Sequence, residues 1–174
     1  MSPIPDFIDN YHLPAGEHEC TFDEIEQKFV NNSQRQKVWA DFKRLYDRFS
    51  SLGLTPKSLI VDGSFVTRRE LPGDVDFGAL ILPSVVKKAL DDMNDSHDKA
   101  AIKMFSDPSC QNLIRDLFGA HMLVVPNEFG LRQISKLFRT GGDQFGKLRD
   151  RDPNRDPDWV TIPQEKGILR MNLY

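Results

Sequence analysis

Gly63-Ser64, followed by Asp74-Val75-Asp76, is the stretch of this sequence whose residue types and spacing could do chemistry. Glycine lets a backbone approach a ligand closely. Its amide, with the amide and hydroxyl of the serine, can grip a phosphate. The two aspartates stand two residues apart, so on a strand both carboxylates share a face while Val75 points into the core. Carboxylates side by side repel unless a cation lies between them. An all-oxygen donor set suits Mg²⁺ or Mn²⁺, ions that activate an attacking oxygen and neutralise a leaving pyrophosphate. On this reading Gly63 and Ser64 bind a nucleotide phosphate, and Asp74 and Asp76 bind metal and carry catalysis. Arg68 and Arg69, in the turn between, offer guanidinium forks to the same phosphates. The plainer alternative is an acidic turn between two buried strands, with solvated arginines.

Elements must position these groups. Residues 1–20 hold Pro3, Pro5, Pro14 and Gly16 and read as an extended arm over the domain, anchored by Phe7, Ile8 and Leu13. Thr21 with Glu24 forms a capping box that opens a short helix to about Val30. A second helix starts near Ser33, with Gln36 as its reciprocal partner. Val38, Phe42, Leu45, Tyr46 and Phe49 give it an apolar face, and Gly53 ends it. Ser58–Val61 is a buried strand, Pro72-Gly73 a turn, and Asp74–Leu82 a second, central strand. A helix opens at Pro83, residues 91–105 are helical in part, and Pro108–Phe118 is a helix stopped by Gly119. Ala120–Val125 is the third strand, Phe129–Phe138 an amphipathic helix, and Ile168–Leu173 a last strand. Residues 140–158, rich in Gly, Asp, Arg and Pro, read as a long mobile loop. Its cluster of Lys147, Arg149, Arg151 and Arg155 is either solvated or a contact for a nucleic-acid or protein acceptor. The order predicts an α/β (α+β) domain with a small mixed sheet flanked by helices, N-terminal helices and an extended arm, all in one unit over 1–174.

The composition narrows the classes. With 174 residues, 39% hydrophobic and 28% charged, the chain can build one real core. A net charge of −3 excludes a global basic field for nucleic acid, so phosphate contacts must be local. Cys20 and Cys110 have no metal or disulfide spacing, and His12, His18 and His97 share no ligand spacing. Trp39 and Trp159 read as packing residues. There is no signal-peptide pattern and no apolar run near the ~18 residues of a membrane helix. These features predict a cytoplasmic protein that does not engage a membrane.

The run Ile60-Val61-Asp62-Gly63-Ser64, then Asp74-Val75-Asp76, resembles the signature of the DNA polymerase β-like nucleotidyltransferase superfamily. A narrower resemblance, to small bacterial and phage nucleotidyltransferase-like proteins, covers most of the chain. It rests on Ile4-Pro5-Asp6-Phe7, Leu13-Pro14-Ala15-Gly16-Glu17-His18, Asp62–Thr67, Pro72–Asp76 and Lys166-Gly167-Ile168. The resemblance implies a nucleotidyltransferase fold, with Ser64 holding terminal phosphates and Asp74 and Asp76 holding Mg²⁺ or Mn²⁺. It implies transfer of NMP from an NTP to a protein or RNA hydroxyl, with a partner protein encoded by a neighbouring gene as one acceptor. It also implies a setting in phage defence or a toxin–antitoxin pair. Such enzymes usually place a third acid on a neighbouring strand, and here that position holds His121. His121 is open to several roles: a metal ligand, a general base, or the mark of a degenerate site that binds a nucleotide or partner like an antitoxin. A strand-end histidine satisfied by backbone groups is the plain alternative. Asp116 and Glu128 are the other acids on flanking elements.

Overall fold

The computed structural model describes residues 4–8, 11–140 and 165–174. The first helix, α1 (Phe22–Phe29), starts as its sequence predicts. The Thr21 hydroxyl accepts from the Glu24 N–H at 3.3 Å, and the Glu24 carboxylate accepts from the Thr21 N–H at 2.8 Å. The second helix, α2 (Ser33–Ser51), is capped one residue earlier than expected: the Asn32 side chain accepts from the Arg35 N–H at 2.8 Å. Gly53 follows the helix with φ of 72°, the left-handed position that glycine tolerates.

Five strands form one mixed sheet: β1 (Gly16–Glu19), β2 (Ser58–Asp62), β3 (Asp76–Leu80), β4 (His121–Val125) and β5 (Gly167–Asn172), in the order β1-β5-β2-β3-β4. The two outer pairs, β1 with β5 and β3 with β4, are parallel; β2 is antiparallel to both of its neighbours. The domain is therefore α+β, as its pattern predicts. Two boundaries differ. The end of the arm is not a free extended segment but the edge strand β1, pairing Gly16 with Gly167. The central strand begins at Asp76 rather than Asp74 and ends at Leu80, because Leu82 already caps the next helix. That helix, α3 (Pro83–Asp92), is followed by α4 (Ser96–Ser106), with Asp95 capping the restart through the His97 and Asp98 N–H groups. After a 3₁₀ turn at Pro108–Cys110 come α5 (Gln111–Phe118) and, beyond β4, α6 (Glu128–Thr140). The loop expected over 140–158 falls, past Thr140, outside the described residues, as does Trp159.

Alternation along the strands divides the core between the two sheet faces. One face carries Leu59, Val61, Phe77, Ala79, Met122, Leu169 and Met171 against the apolar stripe of α2. The other carries Ile60, Leu80, Val125 and Ile168 under Leu131 of α6. Gly78 lets α6 come close, since a Cβ there would meet Ile60 at 2.8 Å and Ile134 at 3.1 Å.

The segment between β2 and β3 has little regular structure beyond a 3₁₀ turn at Ser64–Val66. It is held instead by the first turns of α2. Arg35 is 2% exposed, and its guanidinium donates to four carbonyls: Phe29 at 3.2 Å, Phe65 at 2.8 Å, Thr67 at 2.6 Å and Arg69 at 2.5 Å. Asn32 donates to the Glu70 carbonyl and Gln34 to that of Pro72, both at 2.9 Å. Phe65 plugs the core beneath, stacked on Trp39 with ring centres 5.5 Å apart. Burial pushes the Arg35 guanidinium down to about 10, which still leaves it charged at neutral pH. Four carbonyl oxygens are good solvation for such a cation, and they need its donors in turn. Arg35→Met should therefore cost about 3 kcal/mol or more, because the carbonyls lose their donors inside the core. Urea unfolding measures this; a loss under about 1 kcal/mol would mean that water replaces the clamp.

Candidate functional site

Sheet register brings two of the predicted residues, Asp76 and His121, together, with Asp62 beside them. Asp62 pairs with Asp76 across β2 and β3, and Asp76 pairs with His121 across β3 and β4. Residues in register share a face, so Asp62, Asp76 and His121 form a row on the side that α6 covers. The row lies outside the apolar cluster under that helix. His121 opens its strand because Gly119, with φ of 74°, ends α5 and turns the chain into β4. The His121 N–H then donates to the Val75 carbonyl at 2.9 Å, which fixes the start of β4 beside the Asp-Val-Asp segment.

Each aspartate at this end has a cationic or basic partner. Asp62 is buried and ion-paired with buried Lys166. Asp74 lies 2.6 Å from Arg115 Nη2. Asp76 Oδ1 lies 2.9 Å from His121 Nδ1. An ionised carboxylate can only accept, so Nδ1 carries a proton in this contact, and in the neutral ring Nε2 is the acceptor. Burial pushes the Asp74 carboxyl up, and the neighbouring Asp76 charge adds to the rise. Arg115 and His121 act in the opposite direction without cancelling it. Asp74, Asp76 and His121 thus feel one another electrostatically, although Asp74 stands just before the strand rather than on it.

Gly63 is the hinge of the site. Its φ is 79° and ψ −166°, a region essentially reserved for glycine. A Cβ there would fall 2.0 Å from Asp76 Oδ2. The Gly-Ser turn and the Asp-x-Asp segment are therefore in contact. Ser64 heads the 3₁₀ turn, half-buried, and its carbonyl accepts from the Thr67 hydroxyl at 2.6 Å. Its own hydroxyl bonds to no other described side chain or backbone group.

Both predicted phosphate arginines lie on the clamped segment, and Arg68 is turned away from Ser64. The exposed Arg68 guanidinium stands 4.8 Å from the centre of the Phe7 ring in the arm, and the Arg68 backbone N–H donates to the Tyr11 carbonyl. It lines a cavity of about 350 Å³ with Phe7, Lys28 and Arg35, a set that includes neither Ser64 nor Asp74. Arg69 is half-buried with its carbonyl on Arg35. Glu128 pairs with Lys57 at 3.1 Å, at the opposite end of β2 from Asp62. Asp116 is exposed on α5. Neither is drawn into the row. Arg115, absent from the sequence reading, is drawn in, with no local signal to reveal it. Lys166 was visible only as part of the Lys-Gly-Ile segment.

A family model described as "Family of unknown function (DUF6932)" matches residues 5–171. The chain belongs to this family. No curated protein and no solved structure matches it. The match takes in every residue of this DUF6932 site: Asp62, Gly63, Ser64, Asp74, Asp76, Arg115, His121 and Lys166. Among the described residues of the DUF6932 chain, no three or more His, Cys, Asp or Glu side chains are grouped to hold a metal ion. No described helix is long and apolar enough to cross a membrane.

Two outcomes follow from this geometry. Gly63→Ala should destabilise the DUF6932 chain by about 1–3 kcal/mol, through backbone strain and collision with Asp76. In an Asp76→Ala background the collision goes but the strain stays, so part of the loss should be recovered in urea titrations. The second concerns pH. The folded Asp74 carboxyl sits above its ordinary value of 3.8, so the folded state binds its proton more tightly than the unfolded state does. The stability this contributes is present at low pH and is lost as pH rises through the raised value. In metal-free buffer, Asp74→Asn should be more stable than the wild type at pH 7, with the advantage shrinking as pH falls toward 3.8. A constant difference across that range would contradict it.

Proposed function

We propose that this chain is a metal-dependent nucleotidyltransferase-like protein, moving NMP from an NTP to a hydroxyl on protein or RNA. The observation that carries the reading is the contact of the Gly63 turn with the Asp76 carboxylate, with Ser64, whose hydroxyl bonds to no other described group, next in the chain. The donor set suits a hard divalent cation. Mg²⁺ is commonly held by one or two carboxylates, with substrate phosphates and water completing its shell. Asp74 and Asp76 supply two such groups. When bound, Mg²⁺ or Mn²⁺ would neutralise phosphate charge and lower the proton affinity of the attacking oxygen. Ser64 hydrogen-bonds a phosphate oxygen. His121, held through Nδ1 by Asp76, presents Nε2 as the base toward the acceptor hydroxyl. The partner that supplies the acceptor is a protein or an RNA, in a phage-defence or toxin–antitoxin setting in the cytoplasm.

One observation favours a second reading, a degenerate module that binds a nucleotide or a partner without turnover. Both site aspartates already have partners, Arg115 and His121, and the position of the third acid holds an imidazole. Radiolabelled NTP separates the two. For the enzyme, label passes to an acceptor with Mn²⁺, and His121→Ala abolishes transfer while nucleotide binding survives. His121→Asp should raise Mg²⁺-dependent transfer, since a carboxylate suits that ion better than imidazole. Ser64→Ala should weaken nucleotide binding by about 1–3 kcal/mol. Tight Mn²⁺-dependent binding with no transfer by wild type or His121→Asp selects the module. No nucleotide binding by calorimetry refutes the enzyme and the nucleotide-binding module, and leaves only a module that binds a partner.

A further inference from the structure

Arg115 is the arginine whose guanidinium reaches a site aspartate among the described residues, at 2.6 Å from Asp74 Oδ2. The two partners differ in freedom. The Asp74 side chain is 13% exposed and the Arg115 side chain 52%. Asp74 is fixed by the turn before β3, whereas Arg115 projects from the last turn of α5 on a long flexible stem. Other than Asp74, no described side chain forms an ion pair or hydrogen bond with the guanidinium. One end of this pair is thus anchored and the other can leave.

The pairing also has a clear electrostatic reason. Asp74 and Asp76 are like charges two residues apart, and like charges repel unless a cation lies nearby. In the ligand-free chain Arg115 is that cation for Asp74. A divalent ion on the two carboxylates would take over this role and repel the guanidinium. A nucleotide arriving with the ion brings phosphate oxygens, the anion that a guanidinium fork fits best.

We infer that Arg115 is an exchangeable counter-ion and the phosphate-positioning residue of this site: it rests on Asp74 and moves to the nucleotide's phosphates when the cation binds. This rests on the divalent-cation and nucleotide reading above. It assigns to Arg115 the phosphate contact that the sequence suggested for Arg68 and Arg69; the Arg68 guanidinium lies against Phe7 of the arm.

The signature is a pair of opposite effects. Arg115→Ala removes a competitor for the carboxylates, so Mn²⁺ alone should bind roughly two- to fivefold more tightly, the size of a partly exposed ion pair. The same change removes a charge-assisted phosphate contact. A non-hydrolysable NTP analogue at saturating Mn²⁺ should therefore bind about tenfold or more weakly. Arg115→Lys should fall between, keeping the charge but losing the fork. Mn²⁺ binding is read from the electron paramagnetic resonance signal of the free ion, and nucleotide binding by calorimetry. Loss of this counter-ion should lower the melting temperature slightly, and a cooperative transition shows that the variant is folded. If Mn²⁺ binds wild type and Arg115→Ala equally, or if nucleotide affinity does not fall, the exchange is overturned while the cation site stands. If neither protein binds Mn²⁺, the cation reading fails and the exchange fails with it.

Discussion

The buried guanidinium of Arg35 is the interaction on which the candidate site depends. It ties the carbonyls of Phe65, Thr67 and Arg69 to the start of α2. Asn32 and Gln34 extend the same seam to Glu70 and Pro72. Without it, the chain between Ser64 and Asp74 would have little regular backbone bonding to set its path. A loop of that kind is ordinarily mobile. Here its carbonyls have fixed donors and Phe65 fills the core beneath, so the two halves of the site are held at a defined separation. Local order comes from a helix that contributes no group to the site itself. That is the division expected of a preorganised site, in which supporting residues lock the ones that meet the ligand.

The clamp sets up an electrostatic cost at the sheet's end. Asp62, Asp74 and Asp76 are brought into one region, and each is balanced by a separate group: Lys166, Arg115 and His121. The pairs are not equivalent. Lys166 and Asp62 are both buried, so neither can leave without exposing an unpaired charge to the core. That pair joins β5 to the end of β2 and is a structural tie. Arg115 and His121 are more open, and the Asp74 carboxyl remains pushed up despite them. Residual strain of this kind is common where a site is arranged for a ligand rather than for stability. The distribution therefore separates two kinds of contact: the dry pair is part of the scaffold, and the two accessible pairs can be opened without unpairing a charge in the core.

Much of the fold was legible because its signals are local. Thr21 and Glu24 sit three residues apart and cap α1 by contacts within one turn. The stripe of Val38, Phe42, Leu45 and Phe49 is buried as its period demands. Gly53 and Gly119 both adopt the left-handed conformation expected of helix ends. The Gly-Ser and Asp-x-Asp segments were legible as a pair, and they do meet. What escaped depends on partners distant in sequence. Nothing near Gly16–Glu19 marks it as a strand, because its pairing partner is β5 at the other end of the chain. Arg115 reads as one charge among several on an amphipathic helix. Its meaning appears only when α5 packs beside Asp74. Arg68 was misleading for the converse reason: sequence proximity to Ser64 suggested a shared ligand, but the clamped turn carries its side chain to Phe7.

The segments that carried the family resemblance can be sorted by the work they do. Gly167 lies under the Leu13–His18 segment, where a Cβ would come within 2.1 Å of the Pro14 carbonyl and 2.8 Å of His18 Nε2. His18 donates to that carbonyl at 2.7 Å, closing the turn that feeds β1. Phe7 of the arm packs beneath Arg68, and Asp6 pairs with Lys28. Lys166 ties to Asp62, and Gly63 fits against Asp76. Most of the pattern is thus packing and backbone geometry, which an active enzyme and an inert binding module need alike. Those residues account for the packing of the arm and of the turns around β2 and β5, and they do not discriminate between functions. The discriminating groups have little structural reason to be there: the Ser64 hydroxyl, which has no partner among the described residues, and the Asp74 carboxylate, which is half-buried beside another acid. An uncharged side chain at Asp74 would relieve the burial and repulsion that push its carboxyl up. The charge at this position therefore costs stability near neutral pH rather than adding to it.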